Sequence, residues 1–343
     1  MIVQRLLPRS EVTQAFWELA AERQNIFFRR LAGEPAPWTQ DEILQRYKFC
    51  NAYRASDRVS QYLLREVIYG PRPYSDADQL FRIVLFRLFS RESTWELLED
   101  SIGDIRSETY NTARYANVLD AAASDGRTLY TGAFILCANR AFGFERKHQN
   151  HLALLELMFR PGALPAAVAR AHSLGELYAA LMQYPLIGPF MAYQLAIDIN
   201  YSELCDFDED EFTVAGPGAE RGIAKCFRDL GGATREQVIH WMTDHQEEEF
   251  DRHGVPFETL WGRRLHAIDI QNLFCELDKY ARVRFPDLKS NRSRIKSRFA
   301  ASGVLPRPFY PPKWNVSPDA FETIQRPDRP ITTAVKRTWP LPA

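Results

Sequence analysis

Apolar and aromatic side chains recur at three- and four-residue spacing along most of this chain, and that rhythm favours helices over almost anything else. Residues 10–32 carry Val12, Phe16, Leu19, Ile26 and Phe27 on one helical face. Residues 41–69 carry Ile43, Tyr47, Tyr53, Val59, Tyr62, Leu63 and Val67 in the same manner. A third helix is expected over 78–90, followed by Ser93-Thr94-Trp95-Glu96, whose hydroxyl-to-carboxylate spacing suits an N-cap. Further helices are expected at 112–124, 147–159, 173–183, 189–199, 219–229, 234–246 and 265–283. Arg127 to Cys137 is the best strand candidate, with an irregular loop as the alternative. Strands and helices do not alternate, which argues against a doubly wound sheet. The chain lacks a Gly-x-x-x-x-Gly-Lys-Ser/Thr loop and a Gly-x-Gly-x-x-Gly fingerprint, so kinase chemistry has no visible support in it. The expected fold class is mostly α.

The 343 residues include 43 Lys+Arg against 44 Asp+Glu, so any nucleic-acid contact must rest on local basic patches. No apolar run is long enough to span a membrane, and the first residues turn polar too soon for a signal peptide. Cys50, Cys137, Cys205, Cys226 and Cys275 are isolated, which argues against a disulfide framework, a zinc site or an iron–sulfur cluster. A reducing, cytoplasmic setting is expected, with no metal and no cofactor. Beyond residue 303 prolines crowd the chain from Pro306 to Pro342, denying regular structure. This tail should be extended, partly packed by Phe309, Tyr310 and Trp314, and frayed near its end.

Within residues 181–199, a helix should end near Tyr184, Pro185 and Gly188 should make a tight turn, and Pro189 should open a new helix. Backbone N–H groups at such a helix start suit a phosphate oxygen. The segment resembles the helix-hairpin-helix of DNA glycosylases: Pro185, Ile187, Gly188 and Ala192 match, whereas Leu186 stands where the first glycine usually is. An ordinary αα-corner is the alternative. The resemblance implies an essential aspartate about twenty residues beyond the last glycine, which is Asp208, with Glu209 or Glu211 taking the role if the register slips. A carboxylate there would stabilise an oxocarbenium ion or activate water at a sugar C1′. A solvated acidic loop, Asp206-Phe207-Asp208-Glu209-Asp210-Glu211, is the competing reading. Phe190 stands where a lyase lysine would be, which excludes Schiff-base chemistry there. Gly216 and Gly218 open another helix as an anion or substrate-edge site, or as a plain junction.

Arg54, Asp57, Arg58 and Gln61 share a helical face that lines a base pocket or forms an ion-pair lattice. Lys147, His148 and His151 open a helix; no third metal ligand accompanies the histidines, so a DNA-backbone contact or a capped helix start is favoured. Asp269, Asn272 and Glu276 form another face, where Asn272 reads a base edge or a buried polar contact forms between helices. Arg282, Arg284, Lys289, Arg292, Arg294, Lys296 and Arg298 make the clearest positive patch, suited to phosphate or to a solvated face.

Taken in order, six segments resemble the helical-domain family of 5-hydroxymethyluracil DNA kinases. They are Asn51–Tyr62, Phe86–Phe89 with Trp95-Glu96-Leu97, Lys147–His151, the hairpin, Phe212–Gly222 and Asp269–Glu276. That family is related to alpha-glutamyl/putrescinyl thymine pyrophosphorylases and to DNA glycosylases. The resemblance implies a helix-hairpin-helix, glycosylase-like domain over 41–300, preceded by a helical extension at 1–40 and followed by the tail at 301–343. It implies action on a flipped modified pyrimidine in DNA, most simply excision. The alternatives are a transferase acting on an activated 5-hydroxymethyl group and a non-catalytic DNA-binding accessory domain. The implied partners are DNA bearing the modified base and a DNA-modifying kinase or transferase. The implied substrate contacts are Arg54, Asp57, Gln61, Lys147, His148, Gly216, Gly218 and Asn272. The implied DNA contacts are Ile187, Gly188, Arg292, Arg294 and Lys296.

Overall fold

The computed structural model describes residues 6–70, 72–132, 140–288, 290, 292–300 and 305–316. Helices dominate. They run α1 Ser10–Leu31, α2 Glu42–Arg46, α3 Arg58–Tyr62, α4 Asp76–Phe89, α5 Glu92–Ile102, α6 Thr112–Ser124 and α7 Lys147–Phe159. They continue α8 Ala163–Arg170, α9 Leu174–Leu181, α10 Pro189–Asn200, α11 Pro217–Cys226, α12 Arg235–Asp244, α13 Gln246–Arg252 and α14 Ala267–Arg284. Among the described residues the only sheet is an antiparallel pair, β1 Leu7–Pro8 with β2 Phe227–Asp229. Residues 133–139 of the expected strand lie outside the described residues, and 127–132 form none.

The core forms around α1, α4, α10 and α14. Residues Met191 to Asn200 of α10 are all buried, which is why that helix reads as apolar on every side. In α1, within the stretch expected to form an N-terminal extension, Phe16 packs tilted against Phe274 of α14 at 4.6 Å and Trp17 edge-on against Phe250 at 4.7 Å. Burying each such side chain contributes about 1.5–3 kcal/mol. Helices α11 and α14 cross closely because glycine leaves room. A Cβ on Gly218 would sit 2.8 Å from Cys275 Sγ, and one on Gly222 only 2.1 Å from the Phe274 carbonyl. Across that crossing the buried Asp278 takes Arg221 and Lys225 of α11, besides Arg282 of its own helix.

Two sequence expectations fail for tertiary reasons. The helix expected over 41–69 is broken. After α2 the chain is irregular, passes through a 3-10 turn at Arg54–Ser56 and α3, and ends as a π-helix at Leu63–Ile68. Carboxylates of α14 hold the break open: Glu276 accepts the Cys50 N–H at 2.8 Å and Asp269 the Arg54 N–H at 2.7 Å. Those donors would otherwise serve a continuous helix. The N-cap expected at Ser93-Thr94 is absent, because α5 already starts at Glu92 and Thr94 donates its hydroxyl to the Leu129 carbonyl at 2.8 Å.

The described part of the tail is strapped to the core. Gln61 clasps the Phe309 backbone, donating to its carbonyl at 2.9 Å and accepting its N–H at 2.8 Å. Tyr310 meets Ser56 at 2.8 Å, and a 3-10 turn at Pro312–Trp314 follows. Residues 317–343 lie outside the described residues. No single described helix is long and apolar enough to cross a membrane.

Candidate functional site

The corner between α9 and α10 is a tight turn in which Ile187 donates its N–H to the Tyr184 carbonyl at 3.3 Å. Pro185 holds its second position and Leu186 its third, with φ 69°. A proline followed by a left-handed residue is the pattern of a type II turn, whose third position favours glycine. Leu186 therefore adopts the backbone that the missing glycine would adopt, at a cost of about 1–2 kcal/mol. Gly188 follows as the N-cap of α10, exposed, with Pro189 in the first helical position and no side chain capping the helix start. Nothing lies within 4 Å of where a Gly188 Cβ would be, so the approach is open. Ile187 points inward and is buried.

The acidic stretch after α10 is not a pool of like charges, because most of its members have structural partners. Glu209 is buried and pairs with Arg263 at 2.6 Å, whose guanidinium lies 3.6 Å over the Trp314 ring of the tail. Asp210 accepts the Ala267 N–H at the start of α14 at 2.8 Å, with His266 Nδ1 3.1 Å from its other oxygen. Burial works against both charges. The pair nonetheless holds Asp210 below the usual carboxylate range and His266 above the usual imidazole value. Glu211 takes the Leu174 N–H at the start of α9. Asp208 and Glu211 are both exposed without a cation among the described residues, but Asp208 bonds only within its own loop, accepting the Asp210 N–H at 2.8 Å in a local turn that fixes its orientation. Of the three candidate carboxylates, Glu209 is buried in the scaffold, Glu211 is exposed but tied to the start of α9, and Asp208 is exposed with no tie to another element.

Other expected positions also resolve. A Cβ on Gly216 would come 2.6 Å from the Phe190 ring, so Gly216, like Gly218, serves close packing at the start of α11. His148 Nε2 meets Asp120 at 2.7 Å, and that carboxylate also takes Arg146 at 2.7 Å and Gln149 at 2.9 Å. His151 Nδ1 meets the Tyr130 hydroxyl at 3.0 Å, and Lys147 lies 4.0 Å over the Tyr130 ring. No group of three metal-ligating side chains occurs among the described residues. Asn272 is part-exposed, and Arg292 and Arg294 are exposed without an acidic partner among the described residues.

Arg54, Asp57, Arg58 and Gln61 do not share a face, because the break before α3 sends them apart. Arg54 is buried and bonds Gln194 Oε1 and Asp198 Oδ1, each at 2.8 Å. Arg87 of α4 takes the other Asp198 oxygen, which locks α4, α10 and the Arg54 turn together. Gln61 clasps the tail as described, and Arg58 is exposed and paired with Glu92. Arg54 and Gln61 are therefore parts of the scaffold rather than of an open pocket.

Asp57 goes elsewhere, into a polar cluster that joins two of the segments singled out in the sequence. Its Oδ1 accepts the Asn51 N–H at 2.8 Å. Arg23 of α1 donates to the Cys50 carbonyl at 2.7 Å and to Asn51 Oδ1 at 2.9 Å. Glu276 takes Lys296 at 2.5 Å and Lys279 at 3.4 Å besides the Cys50 N–H. Burial alone would raise Glu276, but Lys296, Lys279 and these bonds hold it at about 2. Burial pushes Asp57 up to about 6, against the pull of the Asn51 N–H, Lys296 and Arg23. Lys296 is thus an ion-paired, part-buried group rather than a free cation on the surface. Its segment docks by edge bonds, Lys48 N–H to the Ser297 carbonyl and Phe299 N–H to the Arg46 carbonyl, both at 2.9 Å.

Arg23, Lys279, Arg87 and Asp198 did not emerge from the sequence reading. Two left a trace in it. Arg23 falls in the gap between Leu19 and Ile26 on the apolar face of α1, and Asp198 interrupts the run Leu195-Ala196-Ile197-Asp198-Ile199. A charge on a buried stripe must find a partner.

Comparison with known proteins adds a family. The model of the 5-hmdU DNA kinase helical domain matches residues 10–290. A 5-hmdU DNA kinase of Bacillus phage SP10 is 26% identical over 308 residues, covering 80% of this chain and 46% of the phage protein. The chain thus spans about half the length of that curated relative. No solved structure matches it significantly.

Proposed function

The chain belongs to the family of the 5-hmdU DNA kinase helical domain, and from that premise we propose that it engages DNA carrying 5-hydroxymethyluracil or a related modified pyrimidine and presents that base for processing. The observation that carries this reading is the exposed start of α10: a tight turn, an open Gly188 and a helix N-terminus with no side-chain cap. Such an end offers N–H donors and a positive dipole to a backbone phosphate. The corner supports a helix-hairpin-helix reading of the fold, and Arg292 and Arg294 add exposed cations for a second phosphate contact. The modified base would be flipped from the stack. The phage relative is a kinase of roughly twice this length, whereas this chain has no phosphate-binding loop. On this reading the described residues bind and present the base, and the phosphoryl or group transfer is the work of a kinase or transferase module acting on the same DNA.

A second reading, chemistry by this chain itself, is favoured by one observation. Asp208 lies twenty residues past Gly188 and is exposed and oriented without being spent on another element. One set of assays separates the two. Fluorescence anisotropy with duplexes containing thymine or 5-hydroxymethyluracil should show binding that weakens with salt. In Arg292→Ala/Arg294→Ala the slope of log affinity against log salt should fall by about 0.9 for each phosphate no longer neutralised by an arginine. No binding by the wild type, or a slope unchanged in the double variant, sinks the DNA reading. Abasic sites, or a mass gain on the base, that vanish in Asp208→Asn would establish the second reading in place of simple presentation.

A further inference from the structure

The cluster around Asp57 has no task in the DNA reading, and it is built differently from the other charged groups of the molecule. We propose that Asp57, Arg23, Lys279 and Lys296 form a binding site for a phosphate monoester, carried either by a free nucleotide or by a phosphorylated nucleotide within a strand. The inference stands whether or not the chain binds DNA.

Charge is the first support. Three cations arrive from three elements, Arg23 from α1, Lys279 from α14 and Lys296 from the segment after it. Lys296 and Lys279 pair with Glu276, Lys296 also lies 3.7 Å from the Cys50 sulfur, and Arg23 and Asp57 both hold Asn51, one by its amide oxygen and the other by its N–H. Glu276 is saturated by Lys296, Lys279 and the Cys50 N–H, so a cation remains in excess. Lys279 and Lys296 stay 23% and 20% exposed at the side chain, open enough to be reached. Each ammonium has three donors to direct.

Asp57 supplies the second support. It holds the N-cap position of α3, with extended backbone, yet its side chain caps nothing in α3. Aspartate at that position ordinarily bonds the second or third N–H of its own helix. Here Oδ1 turns back to the Asn51 N–H instead. Oδ2 makes no hydrogen bond with a described residue and is not sealed from solvent. A part-buried carboxylate with one oxygen unbonded, in the field of Lys296 and Arg23, is what a protonatable anion would meet.

Proton matching selects the ligand. A phosphate monoester loses its second proton near pH 6, where Asp57 also titrates. Carboxyl and phosphate can therefore share one proton in a single hydrogen bond while the lysines neutralise the remaining phosphate charge and the buried Arg23 adds its field from behind Asn51. A backbone diester has no such proton, and its fixed charge would face an ionised carboxylate.

Calorimetric titration of the full chain with thymidine 5′-monophosphate, at constant ionic strength and in two buffers of different ionisation enthalpy, tests this. The wild type should take up close to one proton per phosphate bound, with affinity falling about tenfold per pH unit above about pH 7. Thymidine, and a thymidine dinucleotide with no terminal phosphate, should not compete. Asp57→Asn presents a permanent amide donor, so its affinity should no longer depend on pH above neutrality, an outcome a merely structural Asp57 would not give. A short strand with a 5′-terminal phosphate distinguishes the sources: tighter binding than the free nucleotide assigns the strand-borne monoester, and equal or weaker binding the free nucleotide. Absence of binding at millimolar monophosphate, binding without proton uptake, or equal binding of the diester would overturn the proposal. The proton uptake is read on the wild type, so it holds even if the variant fails to fold.

Discussion

Two gatherings of carboxylates in this chain do different work. Between α10 and α11 the stretch from Asp206 to Glu211 is the densest acidic run in the sequence. Yet Asp210 and Glu211 tie down the starts of α14 and α9, and Glu209 holds Arg263 under the tail. Around Asp57 the acids are sparse in sequence and come from residues 219 positions apart, Asp57 and Glu276. There the carboxylates meet cations rather than helix ends, and one of them is left with an open oxygen. Density of charge along the chain is thus a poor guide to chemistry. A run of acids next to several helix starts finds N–H donors and becomes scaffold, whereas a carboxylate that ignores an available cap has been kept for something else.

The most severe way to break this contrast is Glu276→Gln. It removes the charge that Lys296 and Lys279 share and leaves two part-buried ammoniums facing an amide. Breaking a buried ion pair from one side costs about 3–5 kcal/mol; both lysines keep some solvent, so the lower end is expected. Urea unfolding measures it, and a loss under about 1 kcal/mol would mean that the cluster is solvated rather than built.

Asp210→Asn probes the other gathering and should cost less, about 1–2 kcal/mol, since an amide still accepts the Ala267 N–H but loses the helix-end charge and the His266 pair. Its signature lies in pH. Asp210 is depressed in the folded chain, so its contribution is present above the unfolded carboxylate pKa of about 4 and is lost as pH falls below it. His266 is raised, so its contribution is complete below its unfolded value of about 6.5 and is lost as pH climbs through the folded pKa. The variant should lose stability chiefly between those limits. A uniform loss at all pH values would reduce Asp210 to a neutral cap.

Asp57 predicts the opposite slope. Its folded pKa is about 6, above that of an unfolded aspartate, so the folded chain binds more protons and stability should decline as pH rises from about 4 to 6. Asp269, also raised to about 6 by burial against the N–H bonds of Arg54 and His266, adds to the same slope. Asp57→Asn should flatten it by about half, read from unfolding midpoints across that range. An unchanged slope would assign all of it to Asp269.

The helices were legible because amphipathic periodicity is a local property: α6 and α7 run over 112–124 and 147–159, as the spacing predicts. The break before α3 was not, because its cause lies over 200 residues away in Asp269 and Glu276. The same reason hid the cluster. Asn51–Tyr62 and Asp269–Glu276 each stand out in the sequence, but only folding brings Asp57 to Lys296 and Arg23. Sequence distance led instead to Asp208, whose neighbours' ties to α9 and α14 are equally invisible before folding.

The smallest expected effect concerns the corner itself. Leu186→Gly relieves a left-handed strain of about 1–2 kcal/mol. It also adds about 0.5–1 kcal/mol of chain entropy to be lost on folding and removes a half-buried side chain that packs on the core. These terms nearly cancel, so the unfolding free energy should move by less than about 1 kcal/mol. The informative readout is DNA affinity. If α10 grips phosphate through its open N-terminus, removing the leucine beside Gly188 lets the backbone approach more closely, and binding should tighten by a few-fold with the salt slope unchanged. Weaker binding at unchanged stability would show that the leucine side chain, not the helix end, meets the DNA. No change at all would place the DNA contact away from this corner and leave it an ordinary link between two helices.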